Sequence, residues 1–134
     1  MKLILILSLN LLLSCNVGTF EKKTFVCGKT SIEIELPEIV ETQEKQYEEG
    51  KISLLTTKDK VVIEFFCGGN YMPHTSNKER YSLIREKDGV QFGIDKKTKL
   101  YWRKDGKLIY SNCKASDTTK YNKIFNSKIV KKQY

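Results

Sequence analysis

The chain has 134 residues, of which 24 are Lys or Arg and 16 are Asp or Glu, so its formal net charge at pH 7 is +8. This length holds one small domain, and the excess of basic residues favours an acidic protein, an anionic lipid or glycan, or nucleic acid as partner. The cysteines show no CxxC spacing and His74 is the only histidine, which argues against a zinc site. We therefore expect neither a metal nor another cofactor.

The first fourteen residues are typical of a bacterial lipoprotein signal peptide. A basic start precedes a mostly apolar run over residues 3–13, which ends at Ser14 and Cys15. This run of eleven residues is too short to span a bilayer, which takes about 20. The pattern predicts removal of residues 1–14, lipidation of Cys15 and a tether over residues 15–24. The 120-residue mature chain would then be anchored in the cell envelope, in the periplasm or at the surface. Export disfavours nucleic acid as a partner; an ordinary buried segment with an incidental cysteine is the alternative.

The remainder of the chain predicts short antiparallel strands joined by hairpin turns. In the segment 30–36, Ile32, Ile34 and Leu36 alternate with polar residues, which indicates a half-buried strand. The predicted strands cover residues 25–27, 30–36, 52–56, 61–66, 80–85, 90–94, 99–103 and 107–110. The intervening turns are rich in Lys, Asp, Gly and Thr, and about eight strands at this spacing predict an all-β antiparallel barrel or sandwich.

Two segments lack this alternation. Residues 38–49 are acidic and rich in Gln, and we expect a loop or one short helix that ends at Gly50. Residues 115–134 form a basic tail, with a helix around residues 121–130 as one interpretation. The predicted organisation is therefore a signal peptide (1–14), a tether (15–24), a β-barrel domain (25–114) and a tail (115–134).

No motif for catalysis is present in the sequence. A single histidine outside any motif is weak support for a nucleophile–base pair, and the carboxylates show no spacing that singles out an acid and a base. We expect the protein not to be an enzyme. An exported hydrolase would require several carboxylates to converge in one pocket.

The cysteine count agrees with export. Once Cys15 is lipidated, Cys27, Cys67 and Cys113 remain. Three thiols in an oxidising compartment predict one disulfide and one unpaired cysteine, and the sequence does not select the pair.

Three stretches carry a resemblance to a known family. They are "FVCGKTSIEIEL" at 25–36, "MPHTSNKERYS" at 72–82 and "YWRKDGKLIYSNCK" at 101–114. In this order, downstream of a lipobox, they resemble the membrane-bound lipoprotein inhibitors of c-type lysozyme. The resemblance implies a small eight-stranded antiparallel barrel and a disulfide between its first and last strands, here Cys27 and Cys113.

The same resemblance implies a mode of action. Family members insert a loop serine and a lysine into the lysozyme cleft, and by position these are Ser76 and Lys104. Lys96 or Lys97 on the neighbouring turn could substitute for Lys104. The expected partner-binding residues are Ser76, Arg80, Tyr81, Lys96, Lys97 and Lys104.

Electrostatics favour an alternative partner. A mature chain near +7 would be repelled by a cationic lysozyme. The alternative is a non-catalytic binding or immunity protein that neutralises an acidic secreted toxin or holds an anionic envelope component. It predicts a broad basic patch formed by Arg80, Arg85, Lys87, Lys97, Lys99, Arg103 and Lys104.

Overall fold

The structure is a computed structural model that describes residues 19–133. These residues form ten strands, one helix and two short 3-10 turns. The strands are β1 (Phe20–Cys27), β2 (Thr30–Pro37), β3 (Ile39–Tyr47), β4 (Gly50–Thr57), β5 (Val62–Gly68), β6 (Tyr81–Lys87), β7 (Val90–Asp95), β8 (Tyr101–Asp105), β9 (Leu108–Cys113) and β10 (Ile129–Lys132). The helix is α1 (Thr118–Asn126), and the 3-10 turns are His74–Ser76 and Ala115–Asp117. The predicted signal peptide and Cys15 lie outside the described residues.

The strands form two antiparallel sheets. The smaller has the order β1-β2-β10 and the larger the order β3-β4-β5-β9-β8-β7-β6. The prediction of an all-β protein is therefore confirmed. Within residues 19–133 the sheets do not close into a barrel, because β3 and β6 end the larger sheet without pairing to each other. Within residues 19–133, α1 is the one α-helix, and its nine residues are too few and too polar to span a bilayer.

The core lies between the two sheets and one face of α1. The alternation predicted for β2 is observed, since Ile32, Ile34 and Leu36 are all buried. The Phe25 ring stacks on the Phe65 ring with centroids 4.9 Å apart, which joins β1 to β5. The other core side chains are Leu55, Val61, Ile63, Leu108, Tyr110, Cys113, Tyr121 and Phe125. Burial of this apolar surface is the main stabilising contribution to the fold.

The segment expected to be a loop or a short helix is a strand. Residues 39–47 form β3, which pairs with β4 in antiparallel register from Ile39↔Thr57 to Tyr47↔Gly50. β3 is an edge strand whose residues 40–46 are all exposed. A strand that buries neither face needs no apolar alternation, and for this reason the pattern in the sequence was uninformative.

Residues 20–24 of the predicted tether and residues 115–132 of the predicted tail belong to the folded part of the chain. β1 begins at Phe20 and pairs along its whole length with β2, so residues 20–24 are strand rather than a free linker. After β9, α1 buries Tyr121 and Phe125 completely, and β10 pairs with the opposite edge of β2. Residues 20–24 and 129–132 thus pair with β2, which lies inside the predicted barrel segment 25–114.

The disulfide differs from the one that the family resemblance implies. Cys27 is bonded to Cys67, with the Cα atoms 5.4 Å apart, whereas Cys113 is a buried free thiol. β1 packs over β5, and this packing brings Cys27 at the end of β1 to Cys67 in β5. The predicted Cys27–Cys113 pairing is therefore wrong. Burial raises the pKa of the Cys113 thiol to about 12, which keeps it protonated and unreactive at neutral pH.

Candidate functional site

The long loop between β5 and β6 is fastened to the larger sheet by Tyr71. The Tyr71 hydroxyl donates a 2.7 Å hydrogen bond to Oε1 of Glu64, a buried carboxylate on β5. The Tyr71 ring also packs against Phe66 and Tyr47, with centroids 4.9 Å and 5.5 Å away. Burial and the bond to Glu64 raise the pKa of Tyr71. These contacts fix the first part of the loop on the sheet.

Ser76 lies on an exposed part of this loop. It ends the short 3-10 turn His74–Ser76, and its hydroxyl donates a 2.6 Å hydrogen bond to the carbonyl oxygen of Pro73. The Ser76 backbone N–H donates to the same oxygen at 2.9 Å. The hydroxyl proton is therefore used within the loop, and the hydroxyl oxygen keeps its lone pairs as acceptors.

A bidentate ion pair joins the end of this loop to the turn between β7 and β8. Nε and Nη2 of Arg80 donate to the two carboxylate oxygens of Asp95 at 3.0 Å and 2.8 Å. The Lys96 backbone N–H donates to the Arg80 carbonyl at 2.8 Å, and the Lys97 N–H donates to Asp95 Oδ1 at 2.9 Å. The Arg80 guanidinium holds the pKa of Asp95 well below its ordinary value. The Asp95 carboxylate thus holds both the end of the β5–β6 loop and the β7–β8 turn in place.

Tyr81 completes this arrangement. Its ring meets the His74 ring edge-on with centroids 5.2 Å apart, and the Arg80 guanidinium carbon lies 5.2 Å from its centroid. These side chains line a cavity of about 210 Å³, which Trp102 and Ser111 also line. Burial raises the pKa of the Tyr81 hydroxyl, which therefore stays neutral at physiological pH.

Five of the six predicted partner-binding residues lie at this end of the larger sheet. We call this surface the basic end; it comprises Ser76, Arg80, Tyr81, Lys96 and Lys97. Lys96 and Lys97 are exposed on the turn that Asp95 organises. The end of the serine loop, at Arg80, and the lysine turn are therefore held by one hydrogen-bond network, while Ser76 itself bonds to Pro73.

Lys104 lies apart from the basic end. It is near the opposite end of β8, in register with Gln91 on β7 and Ile109 on β9. Gln91 is four residues before Asp95, which corresponds to roughly 13 Å along the strand. Among the described residues, no hydrogen bond or ion pair links Lys104 to Ser76. The pair implied by the resemblance is not brought together here, whereas Lys96 and Lys97 adjoin the serine loop.

The broad patch expected for the alternative partner is interrupted. Arg103 is only 6% exposed, and its guanidinium makes two hydrogen bonds to Asp105, at 2.7 Å and 2.9 Å. Arg85 lies over the Phe92 ring at 4.9 Å, in register with Arg103 across the sheet. The basic residues are thus divided between the two ends of the β6–β7 hairpin.

The organising role of Asp95 was not foreseen from the sequence. Asp95-Lys96-Lys97-Thr98 indicates a turn, and Asp at the first turn position often accepts backbone N–H groups. Its second role, the ion pair with Arg80, depends on the pairing Tyr81↔Asp95 between β6 and β7. Nothing in the linear sequence specifies that register.

The described residues contain no group of three or more His, Cys, Asp or Glu side chains placed to hold a metal ion. Comparison of the chain with protein-family models, with curated proteins and with solved structures gives no match.

Proposed function

We propose that the chain is a non-catalytic lipoprotein of the bacterial envelope that binds and inhibits a lysozyme through the basic end. In this proposal Cys15 carries the lipid, and the Ser76 loop enters the cleft of the enzyme together with Lys96 or Lys97. The partner is taken from the family resemblance. The choice of Lys96 or Lys97 instead of Lys104 rests on their position beside the serine loop.

The observation that carries the proposal is the bracing of the Ser76 loop against the lysine turn. The Arg80–Asp95 pair fixes both segments before any partner arrives, so little conformational entropy is lost on binding. An ordered, exposed serine loop beside a turn with two exposed lysines is suited to an acidic cleft. A lysine ammonium beside catalytic carboxylates would form charge-assisted hydrogen bonds in a partly desolvated setting.

A titration of lysozyme-catalysed cell-wall lysis with the soluble chain that begins at Asn16 tests this proposal. We expect stoichiometric inhibition, which the double variant Lys96→Ala/Lys97→Ala should weaken by at least about tenfold, or roughly 1.4 kcal/mol. Lys104→Ala is the control, since it removes one lysine charge away from the basic end. Loss of inhibition in Lys104→Ala alone would contradict the assignment of the lysines.

A second candidate is a binding or immunity protein for an acidic secreted toxin or an anionic envelope component. The separation of Lys104 from Ser76 favours it, because the insertion pair of the family is then incomplete. Absence of lysozyme inhibition at micromolar concentration would leave this candidate. Binding that weakens steeply between low and physiological salt would support it, since such contacts are screened over about 8–10 Å.

A further inference from the structure

A polar cleft lies between α1 and the far end of the β6–β7 hairpin, away from the basic end. It has a volume of about 530 Å³, within the range of small-molecule sites. The side chains that matter for its chemistry are Arg85, Lys87, Val90, Phe92, Asn122 and Asn126. We call it the amide cleft, after the two asparagines of α1.

Arg103 is the central side chain in the wall of the amide cleft. Arg85, Phe92, Arg103 and Tyr110 stand in one row across four neighbouring strands. Asp105 accepts from Nε and Nη2 of Arg103, and Lys128 donates to the same carboxylate at 2.7 Å. The position of the Arg103 guanidinium is therefore fixed.

Arg103 determines how both amides are oriented. Its Nη1 donates to Oδ1 of Asn122 at 3.3 Å, and its Nη2 donates to Oδ1 of Asn126 at 2.7 Å. The Tyr110 hydroxyl also donates to Oδ1 of Asn122, at 2.8 Å. A guanidinium has only donors, so each amide must turn its oxygen toward Arg103 and its NH₂ group away from it. Within the described part of the chain, neither NH₂ group has a hydrogen-bond partner.

The amide cleft consequently offers donors and few acceptors. The carboxylate of Asp105 and the oxygens of both amides accept hydrogen bonds from Arg103, and Asp88 is the one acidic side chain on the lining. The Arg85 guanidinium, held over Phe92 at 4.9 Å, has no ion-pair partner among residues 19–133. Lys87 adds a second exposed cation. The complement of such a surface is a ligand rich in acceptors and negatively charged.

Two apolar side chains of the amide cleft indicate which kind of anionic ligand it binds. Val90 and Phe92 line the same cleft, and the Phe92 ring is backed by Tyr101 with centroids 5.5 Å apart. Because Arg85 and Tyr101 both lie against the Phe92 ring, Val90 is the apolar side chain left to contact the C–H groups of a small ring that carries several hydroxyl acceptors. We propose that the amide cleft binds an anionic sugar, a sugar unit that carries a carboxylate or a phosphate. This site is separate from the basic end and does not depend on lysozyme inhibition.

Calorimetric titration of the soluble chain from Asn16 with glucuronate, glucose 6-phosphate and glucose tests the proposal. We expect saturable binding of at least one anionic sugar with a Kd below about 1 mM, and at least about tenfold weaker binding of neutral glucose. The first two ligands distinguish a carboxylate from a phosphate. Failure of both to saturate the protein by about 10 mM, or equal binding of glucose, would overturn the proposal.

Asn126→Asp is the decisive variant, since it keeps the oxygen that faces Arg103 and replaces the NH₂ donor by an acceptor. Affinity for the anionic sugar should fall at least about tenfold, while the melting temperature stays close to that of the wild type. The matched control is Asn77→Asp, the same substitution on the exposed β5–β6 loop, which should leave affinity unchanged. Wild-type affinity in Asn126→Asp, or an equal loss in Asn77→Asp, would refute the role of the amide. Arg85→Gln, which removes an exposed cation without touching α1, should also weaken binding.

Discussion

Removal of the Cys27–Cys67 disulfide should lower the free energy of unfolding by about 4 kcal/mol. The bond closes a loop across a sequence separation of 40 residues. The loop-closure model then gives an entropy of about 13 cal/mol/K, which corresponds to about 4 kcal/mol at 25 °C. A domain of this size should lose on the order of 15 °C in melting temperature. The double variant Cys27→Ala/Cys67→Ala is the appropriate change, because a single substitution would leave a reactive thiol.

Urea unfolding followed by circular dichroism, with and without reductant, measures this loss. Cys113→Ala is the control, and it should cost about 1 kcal/mol from the small cavity left in the core. Reductant should destabilise the wild type and Cys113→Ala to a similar extent and leave the double variant unchanged. A large reductant effect that disappears in Cys113→Ala would refute the Cys27–Cys67 assignment and restore the pairing implied by the family.

Two further predictions concern the larger sheet. Because Arg80 holds the pKa of Asp95 below its ordinary value, this carboxylate stabilises the fold above about pH 4 and loses that contribution as the pH falls further. Urea unfolding at pH 7, 4 and 3 should therefore show a smaller acid loss in Asp95→Asn than in the wild type, and equal losses would contradict the ion-pair argument. Gly93→Ala should cost about 1–3 kcal/mol, because its Cβ would overlap the Trp102 ring and the neighbouring strand. Melting followed by tryptophan fluorescence can compare Gly93→Ala with Gly69→Ala, where the added Cβ meets only a flexible side chain. Equal melting temperatures would show that the Trp102 ring moves aside at little cost.

The elements that the sequence specifies are those that bury one face. β2 shows this most clearly, since its alternating Ile and Leu residues enter the core and its Glu residues do not. The hairpin between β4 and β5 was likewise predicted within one or two residues at each end. By contrast, β10 consists of Ile129-Val130-Lys131-Lys132, all exposed, and its pairing with β2 is a tertiary contact without a local pattern.

The disulfide could not be chosen from sequence spacing because it depends on which strands pack face to face. Cys27 and Cys113 lie on the two strands that a closed barrel would bring together. In two stacked sheets, β1 instead faces β5, as the Phe25–Phe65 stack shows. The choice among the three thiols therefore follows from the architecture rather than from the local sequence.

The sequence allowed the residues of the candidate site to be predicted, but not which of them lie close together. The basic turn at Lys96-Lys97 and the serine loop are visible in the sequence, yet their attachment to each other depends on Asp95 and Arg80. Lys104 follows Trp102 by two residues in a stretch that resembles the family. Its position along β8, however, is set by the register with β7.

The Cys27–Cys67 bond also determines how the domain would respond to mechanical load. A force applied through the residues before Phe20 pulls first on β1, whose pairs with β2 can open one after another from Phe20 toward Cys27. Peeling of all eight residues would lengthen the tether by about 26 Å. At Cys27 the load passes through a covalent bond to β5, which is flanked by β4 and β9 inside the larger sheet. In the proposed lipoprotein the first strand would act as a short extensible segment, and both proposed binding surfaces lie beyond the point where the extension stops.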